Sequence, residues 1–175
     1  MEKTEIRSFF DRCAETWDAG MVRNERAIRA ILDAAGIRPG AEVLDVACGT
    51  GVLFPDYQRR GVASLTGIDL SPEMAARARE KYPWAAVLCG DAEETDFFRQ
   101  FDAVVIYNAF PHFPQPERLL ERLCGALRPG GRLTVAHGMS RQALLQHHSG
   151  AASRVSLELP EAETLAALLG RWLTV

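Results

Sequence analysis

The chain has 175 residues, 47% hydrophobic and 25% charged, with 20 basic against 23 acidic side chains for a net charge of −3. That balance excludes a disordered chain, and the length suits one domain with a sizeable core. The slight negative charge supplies no global basic field for nucleic acid or an anionic membrane surface, so neither is expected as a partner. Cys13, Cys48, Cys89 and Cys124 are scattered, with no C-x-x-C pair. They suggest neither a disulfide scaffold nor a zinc site, and free thiols in a reducing cytoplasm are the expectation. The acidic N-terminus leads into no long apolar run, which argues against a signal peptide, and no stretch approaches the length of a membrane span.

Residues 5–35 read as helical. Ile6, Phe9, Phe10, Cys13, Ala14 and Trp17 recur at helical spacing, Gly20 interrupts them, and Asn24 caps a second helix through Ala34. Gly36 to Gly40 is a helix stop and turn. Val43, Leu44 and Val46 are the apolar run of a buried parallel strand, Glu42 to Ala47. It empties into a loop of small residues in which Ala47, Gly49 and Gly51 let a ligand approach the backbone. A helix follows from near Gly51 to about Arg60. The second strand, Ser64 to Asp69, ends in a carboxylate 20 residues after Gly49. That spacing suits an acid offered to a ribose diol. Ser71-Pro72 starts a helix as N-cap and first helical residue, and Pro83 ends it.

Ala85 to Cys89 is strand three, followed by Asp91, which serves either as a ligand group or as a turn residue. Phe101 to Tyr107 is the most apolar strand and is expected at the centre of the sheet. Asn108 to Phe113 leaves its C-terminal end, where ligands sit in open parallel sheets. Pro114 and Pro116 open a helix with Leu119, Leu120, Leu123 and Leu127 on its apolar face. Arg128 to Gly131 is a turn, and Arg132 to Ala136 is strand five, ending at His137. Ser140 to His148 reads as a short helix and Ser149 to Leu159 as a flexible loop. A last helix carries Leu165, Leu168 and Leu169, and Trp172 to Val175 starts a strand.

The glycine loop does not suit a nicotinamide nucleotide. The position that should be small for helix–strand packing is Phe54, and Asp45 before the first glycine would repel a pyrophosphate. Val43 to Gly51 instead resembles the first motif of the class I S-adenosylmethionine (SAM)-dependent methyltransferases, with Ala47 replacing its first glycine. Gly67–Pro72 and Leu127 to Val135 resemble the same family. The resemblance runs from about Phe9 to Leu169. It implies an α/β, doubly wound, mainly parallel sheet with helices on both faces. Residues 1–175 form one domain, and residues 1–35 form a helical lid. The family's strands six and seven, usually a terminal hairpin, are expected to be truncated. The exposed edge of strand five is then a possible homodimer contact.

The resemblance also implies a cofactor, SAM, released as S-adenosylhomocysteine (SAH). Asp45 and the backbone of Ala47, Cys48, Gly49 and Gly51 would hold its methionine half. Asp69 with Leu70 would hold the ribose, Asp91 with Ala92 the adenine, and Asn108 would border the methyl group. Phe10 and Trp17 close the lid, or only staple the helix to the core. The acceptor is expected to be a small molecule, because Asn108 to Pro111 lacks the motif of nucleic-acid amino-methyltransferases. His112 and His137 are candidate bases, with Tyr107 and Asn108 as orienting groups, or are polar loop residues. His147 and His148 point about 100° apart on a helix, so no metal site is expected. The alternatives are a SAM-binding module without catalysis and a nicotinamide-dependent oxidoreductase.

Overall fold

The structure is a computed structural model and describes residues 1–98, 100–140 and 151–175. Its sheet has five strands in the order β3-β2-β1-β4-β5, all pairs parallel. They are β1 (Glu42–Val46), β2 (Ser64–Asp69), β3 (Ala86–Cys89), β4 (Phe101–Tyr107) and β5 (Leu127–Ala136). Strand order reverses between β1 and β4, and that switch point makes a crevice at the C-terminal strand ends. The middle strand is therefore β1, not the more apolar β4, although both lie between neighbours.

Alternate residues of these strands feed two cores, because successive side chains point to opposite faces. Val43, Ala103 and Val105 pack on one face with Ile28 and Leu32 of α2 (Glu25–Ala34), Phe54 and Tyr57 of α3 (Phe54–Arg59), and Ala75 and Ala78 of α4 (Pro72–Lys81). Leu44, Val104 and Ile106 pack on the other with Leu119, Leu120 and Leu123 of α5 (Pro116–Ala126). Leu165, Leu168 and Leu169 of α6 (Ala162–Leu169) lie against that second core. The result is the doubly wound α/β sandwich, and α1 (Lys3–Cys13) lies over the strand ends against α4.

The helix starts follow the side-chain chemistry. Asn24 accepts from Ala27 N at 3.0 Å and Ser71 from Met74 N at 3.1 Å, each satisfying an orphan donor of the first turn. Three boundaries differ from expectation. First, α3 begins at Phe54 rather than near Gly51. Gly51 is left-handed, with φ of 84°, and Pro55 fits only at the start of a helix. Second, β5 already starts at Leu127. Leu127 pairs with Phe101 and Arg132 with Ala103, so the expected turn is looped out within the strand. Third, Trp172 to Val175 forms no strand. Trp172 N and Leu173 N instead bond back to Leu169 O and extend the end of α6. Among the described residues, no helix is long and apolar enough to cross a membrane.

Candidate active site

The loops after β1, β2, β3 and β4 surround one cavity of about 470 Å³, closed on its open side by α1 and the residues after it. The β1 loop is held in a conformation that only small residues reach at low cost. Ala47 has φ of 54° and Gly49 of 55°. The left-handed region costs a residue with a Cβ roughly 1–2 kcal/mol, so Ala47 carries strain where the motif has glycine. Gly51 and Gly67 are steric demands. A Cβ at Gly51 would lie 2.8 Å from the Tyr82 ring, and one at Gly67 would lie 2.8 Å from the Phe54 ring. Phe54 is fully buried, so the large residue is accommodated by the glycine of the neighbouring strand.

Asp69 ties the β1 loop to the β2 tip. Gly49 N donates to its Oδ2 at 2.8 Å and Ser71 N to its Oδ1 at 2.9 Å. Burial pushes its pKa up to about 6, against the pull of these two donors. Asp69 lines the cavity, and a carboxylate with one donor on each oxygen keeps further acceptor capacity. Asp45 sits differently, buried behind the loop at 2% exposure. Burial pushes it up to about 8. The Tyr57 hydroxyl beside it pulls the other way, although neither that hydroxyl nor Asp45 Oδ2 reaches a normal hydrogen bond. Among the described residues, the cavity wall includes Ala47, Cys48, Gly49, Asp69, Leu70, Asp91, Ala92, Tyr107, Asn108 and His112. It does not include Asp45, Gly51 or His137.

The β3 loop is bound to the N-terminal helix. Lys3 Nζ lies 2.6 Å from Asp91 Oδ2 and 2.7 Å from Glu93 Oε2. Glu93 is fully buried, and its Oε1 accepts from Gln115 N at 2.7 Å. Two further hydrogen bonds hold the N-terminal segment. Ser71 Oγ donates to Asp11 at 2.5 Å, and Thr50 Oγ1 donates to Asp18 at 2.5 Å. Asp18 also pairs with Lys81 at 2.7 Å. Phe10 and Trp17 both wall the cavity. Their ring centroids are 5.7 Å apart, edge to face, and Phe10 meets His112 in the same way at 4.9 Å.

On the β4 side, Asn108 takes φ of 56°, which an asparagine tolerates. Its Oδ1 accepts from Gly138 N at 2.7 Å, tying the β4 and β5 ends together. Burial pushes the Tyr107 hydroxyl pKa up, and the Asn108 side chain partly offsets this. His112 Nδ1 lies 2.7 Å from Val155 O. Arg23, Lys3 and Glu93 also line the cavity and had not been singled out from the sequence. Arg23 pairs with Asp56 at 2.7 Å and Glu25 at 2.7 Å, partners that no local motif announces. Among the described residues, no cluster of three or more His, Cys, Asp or Glu side chains could hold a metal ion. His147 and His148 lie outside the described residues.

The methyltransferase domain family matches residues 44–135, the stretch that builds β1 to β5 and the cavity floor. The chain belongs to the class I, SAM-dependent methyltransferases. It is 32% identical over 138 residues to demethylmenaquinone methyltransferase of Renibacterium salmoninarum, covering 75% of this chain and 58% of that one. It is 38% identical over 109 residues to phosphatidylethanolamine N-methyltransferase of Cereibacter sphaeroides, covering 58% of this chain and 53% of that one. The chain thus spans less than two thirds of the length of these relatives. Among solved structures it resembles the putative methyltransferase of a Haloferax volcanii complex with the Trm112 activator. There the TM-score is 0.77 at 23% identity, over 93% of this chain and 74% of that one, which shows the fold. The DhpI–SAH complex matches with TM-score 0.65 and 28% identity, over 76% of this chain and 68% of that one.

Proposed function

We propose that this methyltransferase domain binds SAM in the cavity over the strand ends and moves its methyl group to a small-molecule acceptor. The observation that carries the reading is one shared wall. The β1 loop backbone, Asp69 at the β2 tip and Asp91 with Ala92 after β3 face a single cavity. Its volume lies in the range of small-ligand sites, roughly 300–1,000 Å³. Asp69 accepts from the ribose hydroxyls and Asp91 from the adenine amino group. The loop from Ala47 to Gly49 lies along the methionine half, and Asn108 borders the methyl group. Asp45 acts through the loop, as a buried prop beneath it.

The leaving group is a neutral sulfide, so alignment and exclusion of water supply much of the rate. Phe10 and Trp17 exclude water from above. A base is needed only for an acceptor that arrives protonated; His112 is the candidate, with Tyr107 of the same cavity wall as an orienting group. The names of the relatives, which include demethylmenaquinone and ubiquinone-biosynthesis methyltransferases, support a small-molecule acceptor. Calorimetric titration with SAM tests the assignment. Asp69→Ala should weaken binding at least about tenfold, because a hydrogen bond to a charged group is worth about 1.5–3 kcal/mol. Unchanged affinity would remove Asp69 from the site.

A further inference from the structure

Among the described residues, the cavity wall holds two Lys or Arg side chains, Lys3 and Arg23, against the acids Asp69, Asp91 and Glu93. The two cations sit at different places. Lys3 is bound at the β3 loop, to Asp91, Glu93 and Glu94. Arg118 offsets only Glu94, so that end stays net negative. Arg23 is bound to Val52, just past the β1 loop and two strands away. Its Nη1 donates to Val52 O, its Nη2 to Asp56 at 2.7 Å and to Glu25 at 3.4 Å, and its Nε to Glu25 at 2.7 Å. Asp56 is shared with Arg59, so two cations meet two acids there and the charges balance. A carboxylate is therefore repelled beside Asp91 and not beside Arg23. Donor capacity is also left over. Nη1 carries two N–H groups, and among the described residues only one finds an acceptor, Val52 O. The Arg23 side chain is 25% exposed, and both Arg23 and Val52 line the cavity. Burial raises the Tyr107 hydroxyl pKa, and Asn108 and then the Arg23 charge oppose it, which sets Arg23 near the β4 end as well.

We propose that Arg23 is the carboxylate subsite of this cavity and takes the amino-acid carboxylate of SAM through its spare Nη1–H. The inference rests on the methyltransferase reading above. It follows the order of the strand ends. With adenine on Asp91 and ribose on Asp69, the ligand runs from β3 across β2 to the β1 loop. Its methionine tail then ends toward Val52, where Arg23 is fastened. A guanidinium keeps its charge at every working pH and is weakly hydrated, which suits a partly buried ion pair. Val52 O, Asp56 and Glu25 already fix its plane, so little ordering is left to the binding step. Arg23 attracts the carboxylate and repels the ammonium group beside it, so one residue decides which way the amino-acid end turns. The subsite thus separates SAM from analogues that lack the carboxylate. A carboxylate on the acceptor is the other source of the same chemistry.

Calorimetric titration of the wild type and Arg23→Met with SAM, decarboxylated SAM and 5′-methylthioadenosine tests the subsite. Arg23→Met should weaken SAM at least about tenfold, and the two ligands without a carboxylate less than about twofold. Arg23→Gln keeps a donor for Asp56 but no charge, and should show the same selective loss. It carries the test should Arg23→Met fail to fold. Equal losses for all three ligands would make Arg23 a prop of the loop and overturn the subsite. Unchanged SAM affinity in a folded variant would overturn it too, and would leave Arg23 to a carboxylate on the acceptor. 5′-Methylthioadenosine reports separately on the cofactor reading, because its binding to the wild type does not involve Arg23. A wild type that binds none of the three ligands would overturn both.

Discussion

The side of the cavity proposed for the cofactor and the side proposed for the acceptor, called the cofactor and acceptor sides, are built in opposite ways. The cofactor side comes from three successive strand ends between Ala47 and Glu93, and its key bonds join neighbouring strands. Gly49 N reaches Asp69, and Cys48 N reaches Ile68 O at 3.1 Å. The acceptor side is assembled from both ends of the chain. Phe10 arrives from the N-terminal segment, His112 from the β4 loop, and Val155 from beyond β5. One half is a property of the sheet. The other depends on segments that pack onto it, which lets one scaffold keep its cofactor while its acceptor varies.

The contrast can be broken first at the glycine loop. Gly51→Ala puts a Cβ at φ of 84° and within 2.8 Å of the Tyr82 ring. Left-handed strain and overpacking together should cost about 2–5 kcal/mol, seen as a fall in Tm of about 5–15 °C. A change under about 2 °C would mean that the loop is not held as described.

The buried prop gives the next largest effect. Folded Asp45 keeps its proton up to about pH 8, while an unfolded aspartate loses it near 4. Between these values the unfolded state binds fewer protons than the folded state, so this group lowers stability as pH rises. Asp45→Asn removes that dependence. Urea denaturation should show the variant gaining on the wild type by on the order of 2–4 kcal/mol between pH 5 and pH 8. A constant difference would show that Asp45 is ionised in the folded chain. Asp69→Ala comes third, with its roughly tenfold loss of SAM affinity and a stability loss of about 1–3 kcal/mol, because Gly49 N and Ser71 N lose their acceptor.

Lys3→Met sharpens the comparison from the lid. It leaves the fully buried Glu93 carboxylate without its cation. Breaking a buried pair costs 3–5 kcal/mol, but the Lys3 side chain is 26% exposed, so about 1 kcal/mol is expected. Hydrogen exchange should then accelerate in α1 while β1, β2 and β4 stay protected. Uniform acceleration across the sheet would make Lys3 part of the core stability instead.

This division also explains what could be read from the sequence. Strands β1 to β4, the capped helices at Asn24 and Ser71, and the glycine loop are signalled by residues close together in the chain, and they appear within a residue or so of where periodicity and capping place them. The middle position of the sheet was misjudged because apolarity marks burial, not order, and both β1 and β4 are covered on each side. The looped-out stretch inside β5 escaped because Arg128 to Gly131 has the composition of a turn. Only the pairing of Leu127 with Phe101 reveals that the strand has already begun. In the site, the wall positions of Asp69, Asp91 and Asn108 follow from strand ends. The Lys3 pairing with Asp91 and Glu93, the Arg23 pairing with Asp56 and the Val155 contact join distant residues without a local pattern. Asp45 is legible as an acid of the motif but not as a buried one, because burial depends on Tyr57 folding behind it.

The central claim is that this cavity is the SAM site, with the ribose on the Asp69 carboxylate. A crystal structure with bound SAH tests it most directly. The account predicts density in the cavity beneath Phe10 and Trp17, with ribose hydroxyls within hydrogen-bond distance of Asp69 and the adenine against Asp91 and Ala92. A cavity left empty at saturating SAH, or SAH bound with its ribose away from Asp69, would contradict it.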